Sequence, residues 1–456
     1  MTPIDRAPIL TAAEMRAAEA AGGEGAEALM ARAGVAVAHA VDRLAANHAV
    51  LILCGPGNNG GDGYVAAARL AAMGRQVRVA ATGEPRAPAA IAARARWSGA
   101  VEPLAGAAPA PVVVDALYGT GLSRPLADAE AAALARLTQA ATLSIAVDVP
   151  SGVASDDGRL LGQVPSIDVT LALGAVKPAH LLQPAAAACG AVRLLDIGIA
   201  TASQASVNGP MRLAPPGPDD HKFTRGMVSV VKGRMAGASH LAAIAAMHGG
   251  AGYVALLGAT MPGAPHALVR RPLDDAALGD TRIGALVIGP GLGRDDDMRA
   301  LVERVLATDR ALVIDGDALH LVTPERLRRR GGTMILTPHA GEFAALFGTP
   351  EGSKIEAARA AAARSGATIV FKGADTVIAA PDGRVVVSGE ASGWLSTAGS
   401  GDVLAGAIGA MLARGLSPID AAAMGVWMHG EAARRLGAAF VADDLAHALS
   451  DARAGR

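Results

Sequence analysis

Aromatic side chains are scarce, with 3 Trp, 3 Tyr and 5 Phe serving 456 residues. Stacking platforms for nucleic acid need such rings, so that class of function is disfavoured. Neither sign of charge dominates: 41 Lys plus Arg stand against 42 Asp plus Glu, a net charge of -1. A polyanion or an anionic membrane surface therefore has no electrostatic footprint to meet. Cysteine is almost missing, with only Cys54 and Cys189 and no CxxC, HExxH or Cys/His cluster. That removes a disulfide framework and a zinc site. No uncharged apolar run approaches a span of about 20 residues, and the N-terminus has no basic stretch followed by an apolar one. These absences predict a soluble protein of the reducing cytoplasm, with no nucleic-acid and no membrane partner. Lysine is also rare: Lys177, Lys222, Lys232, Lys354 and Lys372 are the only five among 41 cationic residues.

Apolar residues are plentiful, at 51%, and mean hydropathy is +0.33. With so few rings, alanine and the 56 glycines must do much of the packing. At roughly 150 residues per domain the length implies about three domains or two large ones. Short β-branched runs alternate with Ala-rich helical stretches: LILC, QVRVAA, VVVDAL, LSIAVDV and DVTLAL in the first half, then MVSVVKG, YVALLG, ALVIGPG, ALVIDGD, MILTPH and TIVFKG. Such alternation predicts mostly parallel sheets covered by helices. A hairpin is expected at TVIAAPDGRVVVSG, turning at Asp382-Gly383. Between about Ala200 and Asp220, Ser, Asn, Gly and four prolines interrupt the pattern and mark a linker or domain edge. Two tandem α/β domains follow.

In the first half, strand LILC runs into the glycine-rich segment GPGNNGGDG, Gly55 to Gly63, with helical periodicity from Tyr64. Backbone N-H groups at such a turn suit a phosphate or pyrophosphate, although the spacing is not GxGxxG. Two further strand ends carry polar groups: Asp115, followed by ALYGTGLSRP, and Asp148, followed by VPSG with Ser151. An amide, a carboxylate and a hydroxyl from three loops form an all-oxygen set, better matched to a monovalent or alkaline-earth ion than to zinc. Each Asp alone is as readily a helix cap or turn former. Lys177, in LGAVKPAH, would give Asp148 a proton donor and acceptor partner.

The segments LMARAG, GNNGGDG, DALYGTGLSRP and DVPSG resemble the NAD(P)H-hydrate epimerase domain, over residues 8 to 205. The resemblance implies a Rossmann-like αβα sandwich that binds a hydrated nicotinamide nucleotide. It implies substrate contacts at Asn58, Asn59, Gly60, Gly61, Asp62, Gly119, Thr120, Gly121, Leu122, Ser123, Arg124, Pro125 and Asp148. Potassium would be held through Asn59, Asp115 and Ser151.

In the second half, TAGSGDVLAG places a glycine turn at the mouth of a helix beside Asp402. N-H groups of Gly399 to Gly401 and the helix dipole would hold a transferring phosphoryl group, while Asp402 takes a proton from an attacking hydroxyl. No GxxxxGK[ST] is present, which disfavours a Walker-type ATPase. Other strand ends supply FKGADT with Lys372, TPHAGEF with His339, GPGLG, and GASHLAA near Ala238. His339 alone suits a capping role as well as a catalytic one.

These segments resemble the ribokinase-like NAD(P)H-hydrate dehydratase that is commonly fused behind the epimerase, here over residues 206 to 456. The resemblance implies hydrate-binding residues Ala238, Gly291, His339 and Asp402. Adenine-nucleotide residues would be Lys372, Gly373, Ala374, Asp375, Thr376 and Gly401, with ADP as phosphoryl donor and Mg²⁺ as its ion. The expected catalytic groups are Asp148 and Lys177 in one domain and Asp402 in the other. Expected partners are NAD(P)HX, ADP and further copies of the chain. Two other classes stay open from the motifs alone: a kinase of a hydroxymethylpyrimidine or pyridoxal-type alcohol, and a nucleotide-binding protein without turnover.

Overall fold

The computed structural model describes residues 1–258, 263, 265–389 and 392–453. They form two compact units, Met1–Val207 and Asn208–Arg456. The first extends two residues beyond the edge expected from the sequence, because Ala205–Val207 stays attached to its own N-terminus: Ile9 N donates to Ala205 O, and Val207 N to Ala7 O.

The first unit is a seven-stranded sheet: β1 (Val50–Cys54), β2 (Val77–Ala81), β3 (Val101–Pro103), β4 (Val112–Ala116), β5 (Leu143–Val147), β6 (Val169–Leu173) and β7 (Ala191–Leu195). The order is β3-β2-β1-β4-β5-β6-β7 and every pairing is parallel. Its central strands are buried throughout, as a parallel sheet covered on both faces requires. Val50, Ile52 and Cys54 join one apolar cluster with Val37, Val41 and Leu70. Leu51 and Leu53, on the opposite face, join another with Leu134 and Leu137. This is the Rossmann-like αβα sandwich. A short strand β8 (Ala205–Val207) ends the unit.

The second unit holds β9 (Met227–Val231), β10 (Tyr253–Leu257), β11 (Val269–Arg271), β12 (Ala285–Ile288), β13 (Leu312–Ile314), β14 (Met334–Leu336), β15 (Thr368–Phe371), β16 (Thr376–Ala379) and β17 (Val385–Ser388). They run in the order β11-β10-β9-β12-β13-β14-β15-β16-β17. The pairings are parallel as far as β15 and antiparallel for β15-β16 and β16-β17. The hairpin turns where expected: Gly383 takes φ 91°, and Ala380 N and Gly383 N close the loop onto Arg384 O and Ala380 O.

Small residues set the helix spacing. The helices Ala236–His248 and Ser400–Ala413 pack together so closely that a Cβ on Gly406 would lie 2.1 Å from Ala242 O. Bulkier residues would force such backbones apart, which is how a core with few rings reaches native density. No helix among the described residues is long and apolar enough to cross a membrane.

Candidate functional sites

In the first unit, the segments that follow β1, β2, β4, β5 and β6 line a cavity of about 1020 Å³. This is where an open parallel sheet gathers ligand-binding groups. Asn58, Asn59, Asp62, Asp148, Lys177 and the whole Gly119–Pro125 segment are in its wall. The NNGGD segment is not a loop ahead of a helix: the helix itself runs Asn58–Ala72. Its glycines let that helix approach its neighbours. A Cβ on Gly60 would stand 1.9 Å from Gly55 O, and one on Gly61 2.5 Å from the Met30 sulfur. Gly60 and Gly61 accordingly serve packing and are not part of the cavity wall.

Asp148 follows β5 in the left-handed region, φ 67°, which costs a non-glycine residue about 1 kcal/mol or more and is found where geometry is over-determined. One carboxylate oxygen accepts from Leu173 N at 3.2 Å and from Lys177 Nζ. Lys177, 1% exposed, directs its remaining protons to Leu173 O at 2.7 Å and Ala175 O at 3.1 Å. Its three donors are therefore all engaged by protein. His180, three residues on, accepts from Lys177 N at Nδ1, 3.0 Å, and meets Asp148 O at Nε2, 2.6 Å. The proton must then sit on Nε2. Burial, and secondly the Lys177 charge, push its pKa down to about 4, so it bridges both residues as a neutral ring.

Four more carboxyls, Glu19, Asp62, Glu84 and Glu130, share the cavity, and two of them are shifted. Burial first, then Asp148 and Glu19, hold Asp62 well above the usual carboxylate range against the pull of Lys177. Glu19, from the helix Ala12–Ala21, is likewise raised by burial, with Lys177 opposing.

Behind the cavity wall, Ser151 Oγ donates to Asp115 at 2.7 Å, and Ser151 N donates to its other carboxylate oxygen at 2.9 Å. Ser151 Oγ also accepts from Tyr118 N at 2.9 Å. Burial raises the Asp115 pKa against these hydrogen bonds. Asn59 reaches the same turn, its Oδ1 lying 3.3 Å from where a Gly119 Cβ would be. The amide nitrogen of Asn59 is buried without a partner, and turning the amide over would offer an oxygen there instead. Asn59 and Ser151 thus both meet the Tyr118–Gly119 turn, and an orphaned buried polar atom on a turn that a hydroxyl also bonds fits a hard cation held by oxygens.

In the second unit, Gly399 caps the helix Ser400–Ala413 with φ 89°. Asp402 sits in the first turn, and burial, reinforced by Asp315 and Asp317 and opposed by Lys372, raises its pKa to about 6. Lys372 directly follows β15 and pairs with Asp315 at 2.9 Å and Glu342 at 3.9 Å. Burial works against its charge, yet Asp315 and Glu342 overcome that and hold its pKa above the ordinary lysine value. A Cβ on Gly401 would lie 3.5 Å from its ammonium. The structure thus brings Lys372, Gly401 and Asp402 together. Ala238 and Gly291 form a second close pair, a Cβ on Gly291 falling 2.9 Å from that of Ala238.

His339 caps the helix Ala340–Phe347, its Nδ1 accepting from Gly341 N at 3.0 Å and Glu342 N at 3.2 Å. Its side chain is 61% exposed, with Nε2 3.5 Å from Glu342. Sequence reasoning passed over Asp315, which binds Thr337 Oγ1 at 2.5 Å as well as Lys372. It also passed over His429, which meets Ser400 O at 2.9 Å and braces the glycine turn from behind. Burial depresses His429 to about pH 4 and keeps it neutral.

A family model described as NAD(P)H-hydrate dehydratase matches residues 228–454, and one described as YjeF-related protein N-terminus matches residues 26–179. The bifunctional NAD(P)H-hydrate repair enzyme Nnr of Thermofilum pendens is 34% identical, over 89% of this chain and 86% of its own length. The chain belongs to the bifunctional NAD(P)H-hydrate repair enzymes. The Nnr of Mycobacterium tuberculosis is 36% identical over 82% of this chain and 80% of its own. Among solved structures, an ADP/ATP-dependent NAD(P)H-hydrate dehydratase from Bacillus subtilis, co-crystallized with ATP and Mg²⁺, is 29% identical. It covers 53% of this chain and 93% of its own, with a TM-score of 0.46. Asn58, Asp62, Asp148 and Lys177 fall inside the first matched segment and Lys372 and Asp402 inside the second, whereas Glu19 and His180 lie outside them.

Proposed function

We propose that the first unit epimerises R- and S-NAD(P)HX at C6, and that the second dehydrates the S form at the expense of ADP, yielding NAD(P)H, AMP and phosphate. The observation that carries this reading is the pairing, in one member of the repair family, of two different proton-handling sites. One has ionisable carboxyls around a cavity, and the other has an acid at a helix mouth beside a lysine.

C6 of the hydrate bears a hydroxyl next to the ring nitrogen. It inverts when a bond to it opens with proton transfer and recloses from the other side. Asp148, ion-paired with Lys177, is the base. Lys177 has no proton left to offer substrate, so it positions Asp148 rather than acting as the acid. Asp62, whose pKa burial raises well above the usual carboxylate range, is the donor. Two carboxyls in different environments, one ion-paired with an ammonium and one desolvated, are the arrangement that acid and base chemistry needs. Asn58 and the Gly119–Pro125 segment hold the nucleotide. Asn59, Asp115 and Ser151 would hold potassium, whose charge steadies the turn that carries this segment. Replacing potassium with a bulky organic cation should slow epimer exchange in the wild type but change little in Asn59→Ala. Equal sensitivity in both proteins would remove Asn59 from the ion site.

Hydroxide leaves poorly, so the second unit phosphorylates the hydroxyl first. Asp402 takes the hydroxyl proton, and the N-H groups of Gly399 to Gly401 with Lys372 receive the transferred phosphoryl group. Mg²⁺, bound with the nucleotide, would neutralise phosphate charge. Ala238, Gly291 and His339 hold the hydrate, and Lys372 through Thr376 with Gly401 hold ADP. Elimination of phosphate restores the dihydronicotinamide. A base must be ionised, so the dehydration rate at saturating ADP should climb with pH through about 6 and level off above it. A rate falling over that interval would exclude Asp402 as base. The decisive assay gives the protein S-NADHX and ADP and follows the returning absorbance of NADH. A stable phosphorylated alcohol without NADH would instead establish a small-molecule kinase.

Both cysteines are free and buried, which supports a reducing, cytoplasmic setting.

A further inference from the structure

Lys354 is the one lysine that falls in none of the motifs or their flanks. It is the first residue of the helix Lys354–Ser365, the end at which the helix dipole disfavours a cation. Its side chain is only 17% exposed. Burial lowers its pKa, with Asp375 opposing. Two unfavourable circumstances thus meet in one side chain, and its partners show what offsets them.

The ammonium donates to the Asp375 carboxylate at 2.7 Å, to the Asp375 carbonyl, and at 3.5 Å to the Lys372 carbonyl. It also stands 4.6 Å from the centre of the Phe371 ring, close enough for a cation-π contact. A Cβ on Gly373 would lie 2.7 Å from the same nitrogen. The turn between β15 and β16, residues 372 to 375, is therefore wrapped around a single ammonium.

We propose that Lys354 is a positioning residue for the adenine nucleotide, its ammonium gathering the carbonyls and carboxylate of this turn into the shape that holds ADP. The proposal rests on reading the second unit as an ADP-dependent dehydratase. Without the ammonium, one carboxylate and two carbonyls face each other across a desolvated space, and repulsion opens the turn. The reactive end of Lys372 is anchored separately: its side chain pairs with Asp315, and its N-H donates to Pro338 O at 2.8 Å. Loss of Lys354 should therefore weaken nucleotide binding and leave the chemical step nearly intact.

The test compares the full-length wild type with Lys354→Met, Asp375→Asn and the double variant, by calorimetric ADP titration and by steady-state dehydration. Lys354→Met should raise both Kd and KM for ADP by about 10- to 100-fold, the scale of losing charge-assisted hydrogen bonds. Its kcat should stay within about threefold of wild type. Asp375→Asn should weaken ADP less, because it removes one of the contacts of the ammonium, and the double variant should fall short of the sum of the two single losses, because either change removes the contact they share. Unchanged ADP affinity in Lys354→Met, or a fall in kcat at constant KM, would overturn the proposal. If thermal melting shows that Lys354→Met does not fold, Asp375→Asn decides alone, and wild-type ADP affinity there overturns it. A wild type that binds ADP yet returns no NADH refutes the dehydratase reading, while the affinities of the variants still decide the role of Lys354. A wild type that does not bind ADP overturns both.

Discussion

Asp402→Asn should abolish dehydration of S-NADHX, lowering the rate by about a thousandfold, within the range by which positioned acid-base groups accelerate reactions. The asparagine is nearly isosteric, so the glycine turn and its His429 brace should persist. What disappears is the proposed acceptor of the hydroxyl proton. Burial and the neighbouring Asp315 place the Asp402 pKa at about 6, near the value that best combines ionisation at neutral pH with proton affinity. Epimer exchange, followed by chromatographic separation of R and S forms, should be unaffected. Loss of both activities in this variant would contradict two separate sites.

Asp148→Asn should slow epimer exchange by a similar factor of about a thousand while sparing dehydration of the S epimer. Stability should fall as well, because breaking such a buried pair costs about 3–5 kcal/mol. The ammonium left without its counter-charge is only 1% exposed. Lys177→Met, which instead strips the partner from a carboxylate 13% exposed, should likewise lose epimerisation and melting temperature together. Normal exchange in Asp148→Asn would transfer the role of base to another carboxyl of the cavity, Asp62 and Glu19 first.

Strand positions were readable because the central runs are mostly apolar and several of them run into glycine turns. The strands that escaped notice lie at or near sheet edges and break that pattern: β3 ends in Pro103, β7 carries Arg193, and β11 is Val269–Arg271. Polar groups at strand ends were readable for the same reason, and Asp115, Asp148, Lys372 and Asp402 all stand out beside turns. Residues that act through a partner gave no such sign. His180 and His429 bond to backbone carbonyls that only folding brings near, and Asp315 becomes informative only once Lys372 lies across the sheet from it. The NNGGD segment shows the reverse error. Glycines read as loop are helical here, because the tight approach of Gly55 and Met30 outweighs their low helix propensity.

The contact between Gly406 and Ala242 has a metric consequence. Ala238 lies one turn before Ala242 on its helix, and Asp402 one turn before Gly406 on the other. With the two helices touching backbone to backbone, the span between the residue proposed to seat the hydrate and the proposed base is set by main-chain contact, not by side-chain rotamers. The pair works as a caliper with its jaws locked, so the two stretches of main chain that carry the proposed seat and the proposed base keep their separation before either ligand arrives, and ordering them costs little during turnover.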